Sequence, residues 1–201
     1  YLGFIYQNDG LTNFAIDSYK KVLEISPDYS WAYFNLGSIA YKSGNIEEAK
    51  EYLLKTLEYN SSDIEAYKLL TKICLKSGET EEILEILSTR IDKEENGDLY
   101  YCLARVYKYI GDSENYCANL EHALDNPYTL SFSKKIVKQE LEYIKEMLGR
   151  NAVIEPETSI EEYSEEEPEE DEDFEEESEY DDEADEYEED EDYDDDGEED
   201  S

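Results

Sequence analysis

Apolar residues recur three and four positions apart along most of residues 1–150, in stretches broken at regular intervals by a polar turn that holds a glycine. That spacing puts the apolar side chains on one stripe of a helix, so each stretch predicts an amphipathic helix. The turns are Asn8-Asp9-Gly10, Ser43-Gly44-Asn45, Ser77-Gly78-Glu79 and Ile110-Gly111-Asp112, and their glycines lie 34, 34 and 33 residues apart. A repeat of this length, with one turn inside it, is the signature of helix–turn–helix units stacked into a solenoid. A glycine suits each turn because it takes up left-handed backbone at little steric cost.

Registering the chain on the glycines aligns the other positions. The second unit reads Tyr33-x2-Leu36-Gly37-x2-Ala40, then Gly44, Ala49-x3-Leu53 and Leu57; the first gives Leu2-Gly3-x2-Tyr6, Gly10, Ala15-x3-Tyr19, Val22 and Pro27. The third gives Tyr67-x2-Leu70-Thr71-x2-Cys74, Gly78 and Ile83-x3-Leu87; the fourth gives Tyr100-x2-Leu103-Ala104-x2-Tyr107, Gly111, Tyr116-x3-Leu120, Ala123 and Pro127. Small residues at Gly3, Gly37, Ala104, Ala15 and Ala49 let paired helices approach closely, and Pro27 and Pro127 stop the second helix of their units. In the third unit Thr71 and Ile83 stand where small residues are usual, so its packing is expected to differ.

This pattern resembles the tetratricopeptide repeat family across residues 1–127. The resemblance implies an all-α, right-handed α-solenoid: units at 1–29, 30–63, 64–96 (degenerate) and 97–130, then a capping helix at 131–149 and an acidic tail at 150–201. In the capping helix Ile136 or Val137, Leu141, Ile144 and Leu148 form the apolar stripe, with Ser131 or Ser133 as the expected cap at its start. The first unit begins inside its first helix, and further units are expected upstream.

Charge divides the chain. All 17 Lys and Arg lie in residues 1–150, whereas residues 151–201 hold 32 of the 57 Asp and Glu and no base. The tail has too little apolar surface to offset chain entropy and is expected to be disordered, as a solubilising segment, a contact for a basic protein, or a competitor for the chain's own binding surface. A net charge of −40 excludes a globally basic nucleic-acid binder. No apolar run is long enough to span a membrane. Cys74, Cys102 and Cys117, odd in number and widely spaced, are expected to be reduced thiols, and a cytoplasmic setting is expected.

The residues present no catalytic constellation. His122 is the one histidine and stands apart from any cysteine or acid at a catalytic or metal spacing. The glycines form no phosphate loop, and paired carboxylates in a solvated chain lack the burial that tunes an acid–base pair. The expectation is a protein that is not an enzyme and uses neither a cofactor nor a metal.

The family resemblance implies that the first helix of each unit lines a concave groove. One helical stripe then brings Trp31, Phe34, Ser38, Tyr41 and Lys42 of the second unit to that groove. The third unit adds Glu65, Lys68, Lys72, Leu75 and Lys76, and the fourth adds Asp98, Tyr101, Arg105, Lys108 and Tyr109. The expected groove has an aromatic end and a basic end, fitting a peptide with acidic groups. Two blander readings stand beside it: the lysines as a solvated face, and Trp31 and Phe34 as packing against a neighbouring helix. Some family members clamp the acidic tails of heat-shock chaperones with Lys, Asn, Asn, Lys and Arg. Here Asn35 fits one clamp position, but Phe4, Glu65 and Leu69 depart from the others. The leading expectation is a scaffold that binds a protein or peptide. The alternatives are the regulatory part of a larger enzyme (a glycosyltransferase or kinase) and a chaperone of basic proteins acting through the acidic tail.

Overall fold

A computed structural model describes residues 2–150, and among them the secondary structure is entirely helical. The helices are α1 (Leu2–Asn8), α2 (Thr12–Ile25), α3 (Ser30–Lys42), α4 (Ile46–Tyr59), α5 (Ile64–Ser77), α6 (Thr80–Ile91), α7 (Gly97–Ile110), α8 (Ser113–Asp125) and α9 (Lys134–Gly149). Each glycine of the 34-residue period sits in the turn between a first and a second helix, with φ of +72°, +81°, +80° and +78° in chain order. A side chain would strain the backbone at all four. The expected acidic tail lies outside the described residues.

Pairs α1–α2, α3–α4 and α7–α8 pack along their length, and each second helix packs against the first helix of the next unit (α2 on α3, α4 on α5, α6 on α7), which makes the stack an α-solenoid. A Cβ on Gly3 would come within 2.7 Å of the Tyr19 ring, and one on Gly37 within 3.1 Å of Leu53 Cγ and 3.3 Å of the Ala49 carbonyl. Both glycines therefore set the separation of their helix pair. The α5–α6 pair makes fewer close backbone approaches than α3–α4 or α7–α8. Thr71 and Ile83 are buried inside it, with Thr71 Oγ1 donating back to the Tyr67 carbonyl at 2.8 Å. The larger side chains at these two positions hold the pair apart, as the sequence leads one to expect.

The repeat's large aromatic position is tyrosine, and the hydroxyl explains how it is tolerated in the core. Tyr33 Oη donates to the Pro27 carbonyl at 3.0 Å, and Tyr67 Oη, one unit later, donates to the Ser61 carbonyl at 3.1 Å. Each ring is buried while its polar tip ties down the preceding connection. The core forms clusters along the stack, two of which join neighbouring units: Leu36 and Ile39 cluster with Tyr19, and Leu70, Ile73, Leu103 and Val106 with Leu53 and Leu87.

The start of α9 differs from expectation. Ser133 occupies its N-cap position but makes no side-chain cap bond. Ser131 is turned toward α7 instead, where the Asp98 carboxylate is a stronger acceptor than the helix start is a donor. Val137 and Ile144 are the buried residues of α9, with Leu141 and Leu148 against the same cluster; Ile136 is exposed.

Candidate functional site

The first helices α3, α5 and α7 present the expected groove positions, but their side chains meet three different fates. At the aromatic end Trp31 stays exposed. Its indole stands edge-on to Tyr19 with centroids 5.6 Å apart, and Phe4 and Tyr29 flank it at 6.3 Å each. Trp31 thus packs against α1 and α2, as the packing reading expects, while keeping solvent-facing surface. Phe34 is half-buried against the central core.

In the middle, Lys72 and Lys76 of α5 reach over the ring of Tyr41 on α3, at 5.6 and 6.0 Å from its centroid. Successive turns of α5 place the two ammonium groups above the negative face of one ring. Lys42 and Lys76 are exposed, whereas Lys72 is half-buried. This sector combines apolar surface with positive charge.

The far end is not an open basic surface. The connection between α8 and α9 folds across the start of α7. Thr129 Oγ1 accepts the Gly97 amide at 2.7 Å, the Thr129 carbonyl accepts the Asp98 amide, and Leu130 is buried. Asp98, itself buried, accepts the Ser131 amide at 2.6 Å and the Ser131 hydroxyl at 2.8 Å. Phe132 lies 4.5 Å from the Tyr101 ring, and Lys68 Nζ sits 4.9 Å from the Phe132 centroid.

Three expectations are corrected by this loop and by α9. Tyr101 is buried, with Phe132 covering the ring expected to face the groove. Lys68 is committed within the fold: it donates to Glu65 at 2.8 Å and to Ser131 Oγ at 3.0 Å, and it lies 3.6 Å from Asp98. Burial pulls its pKa down, but the Glu65 hydrogen bond and the Asp98 charge outweigh that and hold it above the ordinary lysine value, so the ammonium stays charged. Lys108 is 3.8 Å from Glu140 of α9. Arg105 is half-buried and Leu75, expected at the groove, is buried in the core.

Asn35, the residue that fits one position of the chaperone clamp, is buried, and its Nδ2 donates to the Trp31 carbonyl at 2.7 Å. Its amide is used inside α3. His122 stacks on Tyr100 with centroids 4.9 Å apart, a packing role on the second-helix side. Among the described residues no cluster of three or more His, Cys, Asp or Glu could hold a metal ion, and no helix is long and apolar enough to cross a membrane. Cys74 and Cys102 are buried and Cys117 is half-buried, all with free thiols.

Sequence reasoning misses Gly97, Thr129 and Phe132, and it offers Ser131 only as a cap of α9. Gly97 is essential to the arrangement, because a Cβ there would come within 2.6 Å of the Asn126 carbonyl and 2.8 Å of Leu130 Cβ. Its one sequence signal is that it is a glycine at a helix start, outside the 34-residue register.

The arrangement of paired helices agrees with comparison to known proteins. Residues 12–73 match the family model described as tetratricopeptide repeat. Among solved structures, MamA is similar at TM-score 0.60 and 23% identity, over 74% of this chain and 79% of that one. TTC0263, a thermophilic TPR protein of Thermus thermophilus, is similar at TM-score 0.54 and 17% identity, over 72% of this chain and 78% of that one. No curated protein matches the chain. A shared fold at such low identity carries the helical stack but no ligand, and the architecture is in general that of a protein–protein interaction scaffold. The 34-residue register and the left-handed turn glycines agree with the family match, which places tetratricopeptide repeat units at residues 12–73 within a stack of the same fold.

Proposed function

We propose that the chain is a non-enzymatic adaptor that takes an extended peptide along the face of α1, α3 and α5, in a reducing compartment such as the cytoplasm. The observation that carries this reading is the Tyr41 ring beneath Lys72 and Lys76, on the same helix as Phe34 and exposed Trp31. A peptide with an apolar residue for Trp31 and Phe34 and carboxylates for Lys42, Lys72 and Lys76 fits that surface. Arg105 extends the basic side. Lys68 and Lys108 already face carboxylates of the chain, so a ligand gains less from them. Tyr101 belongs to the wall made by Phe132 and contributes no contact area of its own.

The acidic tail supplies a second element of the proposal. Residues 151–201 carry carboxylates at high local concentration and compete for the lysines until a partner displaces them.

Trp31 is the sole tryptophan, so its emission reports directly on this surface. Titration with a synthetic peptide bearing an aromatic residue followed by glutamates should shift Trp31 emission saturably. Tyr41→Ala should weaken binding by about 2 kcal/mol, as for a buried aromatic anchor. Lys72→Glu should weaken it less and flatten its salt dependence. Unchanged affinity in both variants would leave the lysines as a solvated face. A chain ending at Arg150 should bind the peptide more tightly than the full chain at low salt, and equal affinities at every salt concentration would remove the tail from the model.

A further inference from the structure

The repeat register carries on into α9. Counting 34 residues on from Leu103 reaches Val137, which is buried like Leu36, Leu70 and Leu103 before it. That alignment says where each side of α9 looks. Cys102 is 3% exposed and faces α5, where its thiol hydrogen-bonds Thr71. Its counterpart 34 residues later, Ile136, therefore faces α7, yet it is 43% exposed. On the same side of α9 follow Glu140, 3.8 Å from Lys108 of α7, and Tyr143, 57% exposed.

The seam between α7 and α9 is open because α9 stands off. The backbones of α5 and α7 approach closely, and among the described residues those of α7 and α9 do not. Glu140 Oε2 is buried at this seam without a hydrogen-bond partner. The start of α9 adds an electrostatic imbalance. Lys134, Lys135 and Lys138 are exposed near the positive end of the helix dipole, and the first turn holds no acid.

We infer that residues 151–162 of the chain itself dock along this seam, running antiparallel to α9. Val153, Ile154 and Ile160 are the branched aliphatic residues of 151–201, and all three fall within ten residues of Arg150. From Gly149 back to Ile136 is about 20 Å of helix, and ten extended residues span roughly 33 Å, so the segment reaches the whole stripe. Val153 and Ile154 then meet Tyr143, and Ile160 meets Ile136. Glu161 and Glu162, next in the chain, come beside Lys135 and its neighbouring lysines. Apolar and charged parts thus match in order along the helix. Tethering at Arg150 favours this segment over any free peptide of the same sequence. The stack is then capped by α9 and the docked segment together.

Hydrogen exchange of the full chain, read by mass spectrometry, tests this. Amides of 153–161 should exchange at least about tenfold more slowly than those of an unprotected chain. Ile136→Ser with Tyr143→Ser removes the exposed stripe, so the fold should persist by circular dichroism while the segment exchanges at the unprotected rate. Val153→Asp with Ile154→Asp alters only the segment and should raise oxidation of Tyr143 in hydroxyl-radical footprinting. Unprotected exchange of 153–161 in the wild type would overturn the inference. So would protection that survives loss of the stripe, or unchanged Tyr143 oxidation in the segment variant. Protection that falls on dilution would place the segment on a neighbouring copy and overturn it too. None of these outcomes touches peptide binding read by Trp31.

Discussion

Asp98 grips Ser131 through two hydrogen bonds: its Oδ1 accepts the Ser131 amide at 2.6 Å and its Oδ2 accepts the Ser131 hydroxyl at 2.8 Å. This contact seats Phe132 over Tyr101 and decides where the open part of the first-helix face ends. Asp98→Ala leaves a buried amide without its charged acceptor and should cost about 1.5–3 kcal/mol in urea unfolding. Ser131→Ala keeps the amide bond and should cost about 1 kcal/mol or less. A variant order opposite to this would show that the hydroxyl, not the backbone, holds the loop.

Gly97 and Gly44 should respond differently to alanine. At Gly44 a Cβ meets open space, and the cost is conformational, about 1–2 kcal/mol for left-handed backbone at φ +81°. At Gly97 the added carbon runs into backbone of the Asn126–Leu130 turn. Gly97→Ala should therefore destabilise more than Gly44→Ala and expose Phe132, read as altered aromatic shifts of Tyr101 by NMR.

The Lys50 bridge predicts an acid limb in the stability profile. Hydrogen bonds from Lys50 and then Ser77 hold the Glu79 carboxyl below its ordinary value. A carboxyl depressed in the folded state adds stability above its unfolded pKa and loses it as pH falls through the folded one. Both glutamates are nearly half exposed, so the contribution should be no more than about 1 kcal/mol. Lys50→Met should lower stability at neutral pH and shrink the loss between neutral and acidic pH. Equal acid limbs in variant and wild type would assign that limb to other carboxylates.

The thiols should divide by burial. Burial pushes Cys74 up to about 11 and Cys102 up to about 12, so neither forms thiolate at neutral pH. Cys117 is raised too, first by burial, but it is only half-buried. Iodoacetamide on the native chain should label Cys117 alone, with Cys74 and Cys102 reacting only on unfolding; mass spectrometry after timed quenching separates the sites. Early labelling of Cys74 would report local opening of the third unit, where α5 and α6 approach least closely.

Much of this architecture is legible because it is periodic. The spacing of Leu36, Ile39 and Ala40 defines a stripe, the glycine after it defines a turn, and the same offsets recur in the next unit. Even the altered third unit can be anticipated from Thr71 and Ile83, since a larger side chain between paired helices has to separate them.

The far end of the first-helix face is legible in no such way. Tyr101 lies on the stripe that carries Trp31 and Lys68, and helical spacing assigns all three to one surface. What separates them is the path of the loop after α8, whose Ser131 meets Asp98 across 33 residues. Nothing periodic marks Thr129 or Phe132, and of the two serines expected at the start of α9, Ser131 serves α7 instead.

The sequence by itself therefore determined the helices, their pairing and the side of each helix that a residue occupies, because those follow from local spacing and backbone conformation. Only the tertiary structure decided which residues on that side remain open to a ligand. Cover depends on non-local contacts, and whether a lysine is available depends on which carboxylate the fold brings beside it.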